Sequence, residues 1–277
     1  MSRYRAKRPF AKSSLKAPFL RSIAEIPDKV APGAFPFTLP FLKGGDFSLE
    51  FTSPVTFFVG ENGTGKSTLL EAIAELCGFN PRGGSRDNHY EHGDGADATG
   101  LAPALRPAWL PKVSKGFFFR AESFFNFATY IEQTYAEDSR TTPWTERHLH
   151  RHSHGEVFLS FFEKRFGGAQ NSIYLIDEPE AALSPERQLE FLAMVEERRV
   201  AGTVQFLIAT HSPLLMAYPH ADILLFSHRG IRRGTLNDTP HFRLYRDFFD
   251  DPHGFLGAAL ERIAEERRAL AVPDDDA

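Results

Sequence analysis

The chain has 277 residues, 42% of them hydrophobic and 25% charged, with a net charge of −4, a composition that suits a soluble globular protein built as one large or two-lobed domain. Its single cysteine, Cys77, excludes an internal disulfide and a zinc cluster of several thiolates, which fits a reducing, cytoplasmic setting. No apolar run approaches the roughly 18 residues of a spanning helix, and the N-terminus lacks the apolar segment of a signal peptide, so no direct membrane insertion is expected.

Residues 1–18 read as a basic arm. Arg3, Arg5, Lys7, Arg8, Lys12, Lys16 and Arg21 all precede the first acidic residue, Glu25. Such an arm either attracts nucleic acid or is simply solvated, so DNA is a candidate ligand. Between Pro27 and Pro40, the alternation of Phe35, Phe37, Leu39 and Phe41 predicts an edge strand or extended segment. A turn at Gly44-Gly45-Asp46 leads to an alternating strand at 47–51.

The stretch that follows carries the strongest signal. Residues 55–59 (VTFFV) read as a buried strand, residues 66–77 as a helix, and Gly60-Glu61-Asn62-Gly63-Thr64-Gly65-Lys66-Ser67-Thr68 between them fills every fixed place of G-x-x-x-x-G-K-[S/T]. In that context glycine turns the backbone N–H groups of Asn62 to Thr68 inward on a triphosphate, and the helix adds its positive end. Lys66 is then expected to reach the β- and γ-phosphates, and the Ser67 hydroxyl to hold Mg²⁺.

Residues 80–111 are polar and rich in Gly and Pro, which predicts a functional loop or local disorder; His89, Glu91, His92 and Asp94 there either meet a metal or are solvated. A buried strand at 115–120 and an amphipathic helix at 121–137 open a second lobe, and a further helix is expected at 157–166. His148, His150, His152 and His154 alternate ahead of it. They read either as metal ligands or as neighbours of an anion contact made by Ser153 and Gly155 at the helix start.

The strand at 172–177 delivers Asp177 and Glu178 at its C-terminal end, where ligands of open α/β sheets sit. Asp177 is placed to hold Mg²⁺, and Glu178 to orient or deprotonate an attacking water. Pro185 opens a helix to about residue 199, and a strand at 203–209 ends in Thr210-His211-Ser212, which brings His211 towards the γ-phosphate. A hairpin around Arg229-Gly230, a short strand at 241–245 and a helix from Asp251-Pro252 to about residue 270 complete the chain.

Four segments together resemble the ABC-type ATPases: the loop at Gly60 to Thr68, Ser153-His154-Gly155-Glu156, Asp177-Glu178-Pro179-Glu180-Ala181-Ala182-Leu183-Ser184-Pro185, and Ala209-Thr210-His211-Ser212. They look most like the soluble branch with the heads of RecF, Rad50 and SMC proteins and the small bacterial AAA family ATPases. The resemblance implies an α/β fold: a P-loop core with a mainly parallel sheet flanked by helices, an N-terminal antiparallel β portion and a small helical lobe. It divides the chain into an ATPase lobe (19–115), a helical signature lobe (116–170), the second part of the ATPase lobe (171–250) and a C-terminal helix with an acidic tail (251–277).

It also implies Mg-dependent ATP hydrolysis by a head-to-tail homodimer, in which Ser153 and Gly155 contact the γ-phosphate held by the other subunit. Glu178, His211 and Lys66 would then be catalytic, and Ser67 and Asp177 the metal ligands. His154 and Glu156 stand where the family signature has glycine and glutamine, and Glu122 is the candidate for the place of a metal-linked glutamine. Only 31 positions separate Glu122 from Ser153, too few for the coiled coils of SMC and Rad50 proteins. No output domain is evident. The alternatives to an ATPase in its own right are a nucleotide-gated interaction module that controls a partner effector such as a nuclease, and the ATP-binding subunit of a membrane transporter.

Overall fold

The computed structural model describes residues 15–85, 100–121, 158–163 and 171–270. Two sheets organise them. The larger has six strands in the order β5-β6-β7-β3-β8-β9, comprising β3 (Val55–Gly60), β5 (Gly116–Arg120), β6 (Ser172–Asp177), β7 (Val204–Ala209), β8 (Asp222–Ser227) and β9 (Gly230–Gly234). All neighbours are parallel except the β8–β9 hairpin. The smaller sheet is antiparallel, with β1 (Leu20–Glu25) between β2 (Ser48–Glu50) and β4 (Leu105–Trp109).

The parallel strands are apolar at nearly every position because both of their faces are buried. Phe58, Phe118, Ile173, Leu175 and Leu207 face helix α1 (Lys66–Cys77) and the small sheet. Phe57, Phe117, Phe119, Ile176 and Phe206 face helix α2 (Pro185–Ala201) and the helical residues 158–163. The phenylalanine excess is therefore packing, as on β5, where Phe119 stacks on Phe162 with ring centroids 4.1 Å apart. One polar side chain joins the two layers. Gln205, fully buried on β7, accepts hydrogen bonds from the backbone N–H groups of Phe19 and Leu20 (both 2.8 Å) and donates to the Leu20 carbonyl (3.1 Å).

After β7 come a short helix α3 (Pro213–Met216), the β8–β9 hairpin, and the helices α4 (Pro240–Asp250) and α5 (Pro252–Leu270). Three expectations are corrected. Residues 35–41 form no strand: the N–H groups of Phe37, Leu39 and Leu42 each bond a carbonyl three residues back, and a 3₁₀ turn occupies Pro40–Leu42. Pro36 and Pro40 have no N–H to give a ladder, so the apolar side chains are buried from turns instead. Residues 241–245 are helical, since Thr239 caps α4 by accepting from Phe242 N–H (3.2 Å) and Pro240 takes the first helical position. Finally, the stretch at 80–111 contains β4, whose pairing with β1 gives it order. The predicted helix at 121–137, beyond Ala121, and the histidines at 89, 92, 148, 150, 152 and 154 lie outside the described residues.

Candidate functional site

Register brings the expected residues into one row. Phe58 pairs with Ala209, Ala209 with Asp177, and Asp177 with Arg120, so β7, β6 and β5 end level at their C-terminal edge and β3 runs two residues further, to Gly60. The loop after β3, His211 after β7 and Glu178 after β6 therefore open on the same space.

Within the loop, Gly63 (φ 77°) and Gly65 (φ 93°) adopt the left-handed conformation that glycine takes without strain. No side chain caps α1, so its first amides are free of any capping competitor. Lys66 is buried, and its ammonium donates to the carbonyls of Gly60 (2.7 Å) and Glu61 (3.0 Å). Burial pushes its pKa down, while the nearby carboxylates of Glu178, Asp177, Glu180 and Glu61 push it back up.

Ser67 Oγ donates to Asp177 Oδ1 (3.1 Å), which unites the two expected metal ligands across α1 and β6. Burial raises the Asp177 carboxyl to about 6, against the opposing pull of Arg120 and of the Ser67 hydrogen bond. A hydroxyl and a carboxylate at this distance form an oxygen donor set that fits Mg²⁺. Arg120 Nε lies 3.7 Å from Asp177 Oδ2, and Arg120 also pairs with Glu71 on α1 (2.5 Å).

Glu178 is the only non-glycine residue with positive φ among the described residues (φ 52°). Its N–H bonds the Ala209 carbonyl (3.0 Å), which holds the turn, and its Oε1 lies 3.5 Å from His211 Nε2. Burial, Lys66 and His241 lower the His211 pKa to about 4, so the ring is neutral at pH 7. The neighbouring Glu180 secures this loop: it accepts from Thr210 Oγ1 (2.8 Å) and from the His211 N–H. Ser212 adds a bond to Gln188 of α2 (2.6 Å).

The structure thus brings together Lys66, Ser67, Asp177, Glu178 and His211 beside the loop from Asn62 to Thr68. Ser153, Gly155 and Glu122 lie outside the described residues. Sequence reasoning overlooked Arg120, Glu71, Glu180 and His241. Arg120 and Glu180 each adjoin a strand end, which was the available signal; the other two reach the site only through tertiary packing.

A glycine loop between a buried strand and a helix, with a buried lysine and a strand-end carboxylate on the helix serine, defines a P-loop nucleotide-binding domain. Comparison with known proteins carries this further. A model of the AAA domain matches residues 38–172, and a second, described as "AAA domain, putative AbiEii toxin, Type IV TA system", matches residues 156–217. Both matches are to AAA domains, so the chain is similar to P-loop ATPases of that kind over residues 38–217. It is 28% identical over 196 residues to the thiamine import ATP-binding protein ThiQ of Ruegeria sp. (strain TM1040), covering 62% of this chain and 79% of that protein. Among solved structures, CbiO1 from Clostridium perfringens, part of the ABC transporter complex CbiONQ, overlays with a TM-score of 0.45 at 15% identity over 88% of this chain and 99% of that one.

Proposed function

We propose that the chain binds ATP with Mg²⁺ and hydrolyses it, as a nucleotide-driven head-to-tail dimer. The observation that carries this reading is the row of strand ends. Lys66, the Ser67–Asp177 pair, Glu178 and His211 come from three separate segments and meet at one edge of the sheet. Asn62, Gly63, Thr64, Gly65 and Thr68 present backbone N–H groups to the phosphates, and Lys66 exchanges its two carbonyl partners for β- and γ-phosphate oxygens. Ser67 and Asp177 hold the metal, with Glu122 as a third candidate. When bound, Mg²⁺ neutralises charge on the β- and γ-phosphates. Glu178 receives a proton from the attacking water or orients it, and His211 donates to the γ-phosphate. Ser153 and Gly155 of a second copy complete the site, so dimerisation is part of catalysis.

The decisive experiment is Glu178→Gln. It is expected to bind ATP, to accumulate as a dimer by light scattering, and to turn over about 10²- to 10⁴-fold more slowly. A monomer that hydrolyses ATP at the wild-type rate sinks the proposal. A second reading draws on ThiQ, whose name describes an import ATP-binding protein. In that reading the chain is the ATP-binding subunit of a transporter, and no described helix is long and apolar enough to cross a membrane by itself. Recovery of a membrane permease with the Glu178→Gln dimer would favour it over a separate effector, such as a nuclease, or DNA.

A further inference from the structure

His241 is a residue to which the reading above gives no task. It stands in the first turn of α4, where a dense set of local bonds fixes it. Asp238 accepts from Thr235 N–H and Oγ1 (both 2.8 Å), fully buried Thr239 donates to the Leu236 carbonyl (2.8 Å), and Thr239 also caps the helix. No residue of α4 is buried. Yet His241 reaches back into the site: its Nε2 lies 2.9 Å from His211 Nδ1, with the rings edge to face and centroids 4.9 Å apart.

Two neutral imidazoles this close share one N–H, and the surroundings decide which ring supplies it. If His211 Nδ1–H donated, His211 Nε2 would turn a bare lone pair to the Glu178 carboxylate. The remaining proton would then sit on His241 Nδ1, a buried atom with no hydrogen-bond partner. If His241 Nε2–H donates, His211 carries its proton on Nε2, a buried atom without a hydrogen bond of its own that faces the Glu178 carboxylate, with Oε1 at 3.5 Å. Each arrangement leaves one buried donor and one buried acceptor without a hydrogen bond, so that cost does not separate them. The Glu178 carboxylate decides between them: it attracts an N–H on His211 Nε2 and repels a lone pair there, which favours the second arrangement.

We infer that His241 is a positioning residue that donates from Nε2 to His211 Nδ1 and so holds His211 in the tautomer whose Nε2–H points at the γ-phosphate position. The inference rests on the ATPase reading for its kinetic consequence, though the tautomer itself can be read without turnover. It also gives α4 a role: the hairpin of α4 and α5, far along the chain from the phosphate loop, reaches the site through this bond.

Three substitutions in the full-length chain test it. Gln places an amide donor near the position of His Nε2, Leu removes the donor, and Glu replaces it with an acceptor that draws a proton onto His211 Nδ1. His241→Leu and His241→Glu are expected to lower kcat by about 10- to 100-fold, as loss of an orienting partner commonly does. His241→Gln is expected to stay within about threefold of wild type. Binding of a non-hydrolysable ATP analogue is expected to change little in any of them.

The independent readout is the ring ¹⁵N spectrum of histidine-labelled protein, with His211 assigned by its loss in His211→Ala. Wild type and His241→Gln should show a protonated Nε2, and His241→Glu a protonated Nδ1. A wild-type protein with its proton on Nδ1, or a Leu variant with unchanged tautomer and kcat, overturns the inference. Should wild type hydrolyse no ATP while showing the Nε2 tautomer, the ATPase reading fails and the positioning bond stands.

Discussion

Asp177 is the residue at which function and stability conflict most, and Asp177→Asn measures the conflict. The carboxyl is buried and its pKa rises from the ordinary 3.8 to about 6. A folded-state value above the unfolded one means that folding favours the protonated form. The stabilisation is complete below the unfolded value and is lost as pH climbs through about 6. At about 1.4 kcal/mol per pH unit, the ionised carboxylate costs the fold about 3 kcal/mol above that range. Asparagine is neutral throughout and can still accept from Ser67. In chelator and without nucleotide, Asp177→Asn should therefore exceed wild type by about 2–3 kcal/mol at pH 8, a urea midpoint about 1 M higher. The gap should close below pH 4. Magnesium with ATP should then stabilise wild type and leave the variant nearly unmoved. An Asn variant that is no more stable at pH 8, or whose advantage is the same at pH 4, would refute the account.

Two further substitutions probe how the site is held. Gln205→Leu leaves the Phe19 and Leu20 N–H groups and the Leu20 carbonyl without their buried partner, at about 1–3 kcal/mol each, so urea denaturation should show a loss of about 3–9 kcal/mol. A loss under 1 kcal/mol would mean that the small sheet does not need this clamp. Gly65→Ala meets both a left-handed φ of 93° and a Cβ only 2.7 Å from Phe41 Cε1, and should weaken ATP binding at least about tenfold by calorimetry. Unchanged affinity would show that the loop can relax without leaving its phosphate-binding shape.

What could be read from the sequence follows the range of the interactions concerned. The loop from Gly60 to Thr68 is local: its glycines, lysine and serine act within one strand-to-helix turn, so pattern and structure coincide. Asp177 and Glu178 were legible because a strand buried on both faces admits a carboxylate only at its end. The strand at 20–25 and the one at 105–109 were not, because their order comes from pairing with each other, 85 positions apart between Leu20 and Leu105. Residues 35–41 misled by alternation, since a period of two in apolar residues does not reveal that two prolines have removed ladder donors. His241 fell on a predicted strand because Thr239-Pro240 was not weighed as a helix start, and its contact with His211 spans two intervening strands.

The electrostatics of the row point to the kind of ligand that completes it. Burial disfavours the charged forms of Lys66, Asp177 and His211 alike, whatever their sign. A cation alone repairs only Asp177 and is repelled by Lys66 and Arg120. A polyanion alone repairs only Lys66 and is repelled by Asp177 and Glu178. The two together satisfy both carboxylate and ammonium, so each should raise the affinity for the other, and by linkage to the same extent. The neutral His211, with His241 behind it, adds a donor that needs no counter-charge. A site of this composition is expected to select a metal–nucleotide complex over either component, and titration of ATP with and without magnesium measures the coupling. Equal affinities would mean that Asp177 does not take part in metal binding.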